Sequence, residues 1–471
     1  MIRFVTGHFG QGAIGRQEDL GKLPRRVILH LELKVKSVVF SVRKISAVRN
    51  AFDRMSAFGG VHFLLALRDK MAPEAVKTGV YVRLAQKSDV PVIKRLIEGL
   101  AEYEKLLDEC HATESALEAT LFLEPAFEGT TVFILELGPT VEASAAEEGT
   151  VDIIYEEINR NIVEDIQDAT FVSTKDKRRT VVGFTLFFPS YAPVLAKRGI
   201  YIEDIYVREA YRRHGLGTIL LKTVAQQAAK RGSGRVEWSV LDWNVNAINF
   251  YEGMGAIVLP DVRICRLTGD KLQAYAFAPA ATKPRVNVRP AEKYDVPALR
   301  LLIEEHAEYE KLTHMLKATE ASLEATLFQR PVFDGLKTLI LELEHEPSTT
   351  EEVLETSQAL ESSKLNSNRD KKCTIVGFTL FYPTYSTFLA KNGVLIAALY
   401  VRETYRGQGL GTLLMSVVAQ EAAKRGLGRV EWGVIDRNVN GSSFYERMGA
   451  SVLPEWRICR LTGEKLQAYA S

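Results

Sequence analysis

From residue 88 onward, apolar positions follow first a helical period and then a strand period. Ile93, Leu96, Ile97 and Leu100 fall on one face of a helix that Ser88 or Asp89 can cap. "TTVFILEL" (130–137) and "TVVGFTLFF" (180–188) are rich in β-branched and aromatic residues and predict strands. "IYIEDIYV" (200–207) predicts another strand. A Gly-rich turn follows it, then a helix over 216–231 with Ile219, Leu220, Val224, Ala225 and Ala228 inward and Gly232 at its end. "RVEWSVL" (235–241) and "NAINFYEGM" (246–254) add a strand and a helix. The pattern is that of a mixed α/β sheet with its candidate chemistry placed after a central strand.

The whole pattern occurs twice. "VRLAQKSDVPVIKRLIEGLAEYEKL" (82–106) returns as "VRPAEKYDVPALRLLIEEHAEYEKL" (288–312), a shift of 206, whereas from "VGFTLF" onward the shift is 194. The first copy therefore carries twelve extra residues between 123 and 181. Between Gly183 and Ala276, 63 of 94 positions are identical in the second copy, so two whole domains are expected rather than a solenoid. Their expected bounds are 79–278 and 287–471, joined by a linker at 279–286 and preceded by a basic extension at 1–78. The acidic stretch 138–178 is expected to be a solvated insertion, and its counterpart 345–371, rich in Ser, Thr, Glu and Asn, to be disordered.

Charge sharpens this only locally. Residues 1–70 hold 13 Lys/Arg against 5 Asp/Glu, so under a net charge of +1 the remainder carries about −7. A mildly acidic body argues against nucleic acid and suits a cationic small molecule. Organellar import through the extension stays open, but five acids and four serines make it a poor targeting segment, and a poorly ordered extension or sequence outside the functional product is the better reading. No apolar run is long enough to span a membrane. Four cysteines, with Cys265 and Cys459 equivalent by repeat, form neither a disulfide framework nor a zinc cluster. A cytoplasmic protein with no metal is expected.

"YRRHGLG" (211–217) and "YRGQGLG" (405–411) place R-x-x-G-x-G at the start of a helix. Such a turn lets backbone N–H groups close on an anion with help from the helix dipole, and a diphosphate suits it. Neither a Walker motif nor a dinucleotide fingerprint is present.

Strand, turn and helix, followed by "EWSVLDWNVNAINFYEGMGA" (237–256), resemble motifs A and B of the GNAT acyl-CoA N-acetyltransferases. Within that superfamily "LAEYEKL", "GIYIEDIYV", "LDWN", "FY" and the closing "RLTG" resemble the diamine acetyltransferase group, which acts on spermidine, spermine or thialysine. The resemblance covers nearly all of 80–471, twice, outside the two insertions. It implies that Ile205, Tyr206 and Val207 pair with the pantetheine arm of acetyl-CoA. Arg212, Arg213, His214, Gly215, Leu216, Gly217 and Thr218 would hold the diphosphate, with Asn244 on the cofactor side. Tyr251 would protonate the departing thiolate, and Glu203 would bind and deprotonate the amine. Tyr103, Glu104, Asp204, Glu237 and Trp238 would line the amine site. Neighbouring residues of a regular strand face opposite ways, so Glu203 and Asp204 can share a site only across a bulge, which the resemblance implies here.

The second copy keeps the equivalent cofactor set: Leu399, Tyr400, Val401, Arg406, Gly407, Gln408, Gly409, Leu410, Gly411, Thr412, Asn438 and Tyr445. It also keeps Tyr309 and Glu310. "LIAALYV" (395–401), however, stands where the first copy has "YIEDIYV", so Ala397 and Ala398 replace both acids, and Arg437 replaces Trp243. A cation beside a site without carboxylates repels an ammonium. The expectation is one competent amine site, in the first copy; the resemblance implies an intrachain pseudo-dimer in which the second copy supports that site through Tyr309, Glu310 and their neighbours. Val262, where the second copy has Trp456, marks a further departure in the first. The expected activity is acetyl transfer to a polyamine, small diamine or diamino acid. A non-catalytic acyl-CoA-binding protein and a protein lysine or N-terminal acetyltransferase remain open alternatives.

Overall fold

In the first copy, strands β1 (Thr78–Leu84), β2 (Thr131–Pro139), β3 (Ile154–Ile158), β4 (Thr180–Ala192), β5 (Lys197–Val207), β6 (Arg235–Leu241), β7 (Ile257–Leu259) and β8 (Val262–Thr268) alternate with helices. The helices are α1 (Val90–Glu104), α2 (Glu114–Thr120), α3 (Leu216–Lys230), α4 (Val245–Gly253) and α5 (Gly269–Gln273). The second copy contributes β9 (Val286–Pro290), β10 (Lys337–Glu344), β11 (Cys373–Ser386), β12 (Lys391–Val401), β13 (Arg429–Ile435), β14 (Ser451–Leu453) and β15 (Trp456–Thr462). Its helices are α6 (Val296–Tyr309), α7 (Glu320–Leu327), α8 (Leu410–Lys424), α9 (Val439–Arg447) and α10 (Gly463–Gln467). This computed structural model describes residues 78–139, 154–158, 168–328, 336–344, 365–367 and 372–470. The extension through residue 77 and most of both insertions, on which sequence expectations were placed, lie outside that set.

The mixed α/β class expected from the patterning is the class observed. Part of the acidic insertion is not loop: β3 pairs antiparallel with β1 at the sheet edge. Asp89 stands at the start of α1, yet it does not cap the helix with its side chain. It is buried and bound by Arg83 at 2.6 and 2.8 Å, while Arg83 Nε reaches Glu136 at 2.7 Å. Arg289, Asp295 and Glu342 repeat this triad in the second copy.

The two sheets exchange a strand. The first runs β3-β1-β2-β4-β5-β6-β15-β7 and the second β14-β8-β13-β12-β11-β10-β9. β15 of the second copy thus lies between β6 and β7 of the first, and β8 of the first lies between β13 and β14 of the second. Pro260 and Pro454 follow β7 and β14. Each fixes its own φ and biases the preceding leucine to extended geometry, and after the short turn that follows, the next strand pairs in the other copy's sheet. Fully buried Leu461 sits in the first copy's core and fully buried Leu267 in the second's. Each contributes roughly 2 kcal/mol to a sheet that the other copy begins.

A third cluster spans both copies, packing Phe184, Leu186 and Phe188 of β4 with Phe378, Leu380 and Tyr382 of β11 under helices α1 and α6. Both copies belong to one compact unit. No helix among the described residues is long and apolar enough to cross a membrane.

Candidate active site

β5 and β6 are parallel but pair only at Ile200–Ile202 with Val236–Trp238. Beyond that point β5 is paired only with β4, and β6 with β15. The β6-facing edge of Ile205, Tyr206 and Val207 therefore carries no ladder, which is the geometry a peptide-like pantetheine arm can extend. The second copy splays alike, after Val394–Ile396, leaving Leu399, Tyr400 and Val401 on the open edge.

At the end of the splay the chain turns into α3. Gly215, at the N-cap, has φ +83° and Arg213 has φ +66°; the second copy places Gly407 (φ +77°) and Gly409 (φ +75°) at the same points. An arginine in the left-handed region costs about 1 kcal/mol more than glycine there. The amides of Leu216, Gly217 and Thr218 open the helix without intrahelical partners. Arg212 has another job. Its Nε donates to the Val207 carbonyl at 2.8 Å, and its guanidinium lies 4.4 Å over Tyr103 and 5.4 Å from the Tyr206 ring. Arg406 repeats these contacts on Val401, Tyr309 and Tyr400. In the second copy Lys283, from the linker, donates to the Gln408 carbonyl and sets an ammonium at that turn.

The predicted bulge is present, and it falls on Glu203. Leu186 faces Asp204 and Phe187 faces Ile202, so Glu203 is the extra residue; Ala397 is skipped in the same way in the second copy. Glu203 and Asp204 consequently line one cleft of about 250 Å³ together with Glu104. Burial and the neighbouring Glu203 push Glu104 up to about 7. Burial and Glu203 likewise hold Asp204 well above the carboxylate range. The Thr387 hydroxyl hydrogen-bonds Asp204, and Asp204 Oδ2 is buried without a partner. Tyr251, on α4, is buried with its ring 5.0 Å from that of Trp238, and burial raises its hydroxyl above the phenol range, so it remains a donor.

Other expected residues lie elsewhere. Tyr103 donates to Asn244 Oδ1 at 3.1 Å, and the same oxygen caps α4 through Ala247. Trp238 underlies Tyr251. Glu237 is bound by Arg235 at 2.6 Å and Arg460 at 2.7 Å, which hold it below the usual range against the effect of burial. The carboxylate that lines the cleft from this register is its repeat equivalent, Glu431.

The second copy builds the other wall, though not through Tyr309 and Glu310, which bond Asn438 and Arg437 of their own copy. Thr387, Phe388, Arg429, Glu431 and Trp456 line the cleft, with Ile264 and Arg266 from the exchanged β8. Arg429 Nη2 lies 2.7 and 2.8 Å from the two Glu203 oxygens, and Arg429 Nε lies 2.7 Å from Glu431. Sequence reasoning missed Arg429 and Glu431, whose trace is only the "RVEW" shared by both copies. It also took Val262 as a loss to the first copy. Strand exchange carries Val262 to β13 and brings Trp456 to β6 and the first cleft.

The second copy's changes come in contacting pairs. Tyr201 bonds Ser239 at 2.5 Å, and their equivalents are Leu395 and Gly433. Arg429 meets Glu203, whereas its equivalent Arg235 meets the hydroxyl of Tyr382, where the first copy has Phe188. Among the described residues no group of three or more His, Cys, Asp or Glu is placed to hold a metal ion.

Comparison with known proteins agrees with this geometry. The sequence profile of the Acetyltransferase (GNAT) family matches residues 141–256 and 338–450. An L-ornithine N5-acetyltransferase of Arabidopsis thaliana is 48% identical over 210 residues, 43% of this chain and 92% of that protein. A tyramine N-feruloyltransferase of Nicotiana tabacum is 36% identical over 208 residues, 42% of this chain and 92% of that protein. A thialysine N-epsilon-acetyltransferase of Bos taurus is 33% identical over 177 residues, 38% of this chain and 84% of that protein. Two splayed strands, two glycine turns opening helices and two profile matches lead to one assignment: the chain belongs to the GNAT acetyltransferase family, as a tandem N-acetyltransferase that uses acetyl-CoA as donor and amines as acceptors.

Proposed function

We propose that the first copy acetylates a primary amine of a polyamine, small diamine or diamino acid by direct attack in a ternary complex. The observation that supports this most is the carboxyl-lined cleft, where Glu104, Glu203 and Asp204 converge near Tyr251. A multiply charged small cation suits such a lining better than a neutral amine does. The ornithine and thialysine enzymes among the relatives lend the diamino acid arm support. Ile205–Val207 would carry the pantetheine arm, the α3 turn the diphosphate, and Tyr251 would hydrogen-bond and protonate the leaving sulfur.

The second copy is proposed to bind acetyl-CoA without acetylating diamines and to serve as the opposite wall of the first cleft. Ala397, Ala398 and Arg437 support the loss, and Arg429 and Trp456 support the wall. A thiol-release assay over polyamines, diamines, diamino acids and tyramine tests the reading. The expected result is turnover on the aliphatic cations, reduced about 100-fold by Tyr251→Phe and within twofold of wild type for Tyr445→Phe. Equal losses from both substitutions would remove the one-site reading. Acetyl-CoA binding without turnover on any amine would remove the activity.

A further inference from the structure

Glu104 and Glu310 are repeat equivalents in opposite surroundings. Glu104 ends α1 in the first cleft, and the charged neighbour that perturbs it is another acid, Glu203. One turn earlier stands Leu100, and on the loop before α4 stands Trp243, whose ring lies 6.0 Å from that of Tyr103 with the Lys105 ammonium 5.2 Å away. The second copy has His306 and Arg437 at these places. His306 lies 3.5 Å from Glu310, and Arg437 donates to the Glu310 carbonyl. Against the effect of burial, the hydrogen bond from His306 and the charges of Arg437 and Arg460 hold Glu310 below the usual carboxylate range, whereas Glu104 is raised to about 7.

We propose that Glu104 is the group that takes the proton from the substrate ammonium, and that Glu203 binds the cation without accepting its proton. This rests on the amine acetyltransferase reading above. Burial raises the Glu203 carboxyl, but both its oxygens lie against Arg429 Nη2, so a proton arriving there must break a buried ion pair. Asp204 is more deeply buried than Glu104 and already hydrogen-bonded to the Thr387 hydroxyl, with burial and Glu203 holding it well above the carboxylate range, so it is the less accessible acid. Glu104 alone combines a place in the cleft, no cationic partner among the described residues and nearness to Tyr251.

The titratable groups facing Glu104 are Glu203 and Asp204 from β5, Tyr251 from α4 and Tyr103 from its own helix. Arg429, Glu431 and Arg266 line the cleft from the exchange region, and Asp108, Glu109 and His111 line it from the segment after α1.

The protons balance. The ammonium gives one proton to the Glu104 carboxylate, and the free amine nitrogen bonds to the acetyl carbonyl carbon. The carbon–sulfur bond breaks, and the thiolate takes a proton from Tyr251. That proton is replaced by the second one lost from nitrogen as the amide forms. Glu104 then releases its proton to solvent, so each turnover yields amide, CoA thiol and one proton.

The test uses the full chain with whichever amine it accepts and follows kcat/KM from about pH 5.5 to about pH 9. Wild type should lose activity below an acidic limb near 7. Glu104→Gln should lose about 100-fold in kcat together with that limb, keeping KM for acetyl-CoA within about twofold. Trp243→Arg, which restores one cation of the second copy, should move the limb to lower pH without abolishing turnover. A Glu104→Gln enzyme that keeps the limb and kcat within about threefold overturns the proposal, as does loss of the limb in Glu203→Gln alone. Wild type inert on every amine would instead strike the functional reading on which the proposal rests, and the proposal with it.

Discussion

Arg429 of the second copy holds Glu203 of the first, one guanidinium nitrogen lying 2.7 and 2.8 Å from the two carboxylate oxygens. The pair is buried, and Arg429 also forms an ion pair with Glu431 and donates to the Tyr385 carbonyl. Removing the arginine therefore leaves two buried acids short of a cation. Arg429→Met should cost about 3–5 kcal/mol in urea unfolding. Pairing it with Glu203→Leu should return part of that, giving a coupling of about 1 kcal/mol or more in a double-mutant cycle. Strict additivity of the two substitutions would show that the two copies do not communicate through this pair.

Trp456 lines the first cleft although it belongs to the second copy, and Val262 is paired away in the second sheet. Trp456→Val should thus raise KM for the amine acetylated by the first copy about tenfold and leave KM for acetyl-CoA unchanged. Val262→Trp should leave the first site's amine KM within about twofold. The reverse outcome would place each strand on its own copy's sheet in solution.

The limits of sequence reading follow from the same exchange. The bulge was expected from the resemblance, because adjacent Glu203 and Asp204 on a regular strand would otherwise put their side chains on opposite faces. The glycine turn was legible because the left-handed backbone has a residue signature, kept even where Arg213 replaces a glycine. The wall from the other copy was not. β8 and β15 share "RICRLT", so nothing in either strand says which sheet it completes. Glu237 was expected in the site from the resemblance, yet β6 turns it toward Arg235 and Arg460 and its equivalent Glu431 lines the first cleft. Arg429 could not be seen as a partner of Glu203, since the two lie 226 residues apart and meet only once the copies pack.

The raised Glu104 should also mark the stability curve. A carboxyl lifted from its ordinary 4.5 to about 7 binds its proton more tightly folded than unfolded, so its ionisation works against the fold as pH rises through that window. At about pH 8 Glu104→Gln should melt higher than wild type by about 2–5 °C, a difference that shrinks to nothing below about pH 4.5. A melting temperature unchanged at both pH values would show that the carboxyl carries no such burden.

Separating the copies tests the exchange itself. A chain of residues 79–278 would keep β8 but lose β15, leaving β6 with an open edge beside β7 and β8 with no sheet. Open edges seek strands. β8 and β15 differ at Val262 and Trp456 but share their next six residues, including Cys265 and Leu267 against Cys459 and Leu461, all four fully buried. Two such fragments can therefore trade β8 reciprocally, each filling the place of β15 with Val262 where Trp456 stood. Light scattering should find a dimer with the fold's circular dichroism and a weakened amine site, its cleft lacking Trp456 but regaining a Glu203–Arg235 pair in place of Glu203–Arg429. A folded monomer would mean that β8 can turn back at Pro260 and close its own sheet.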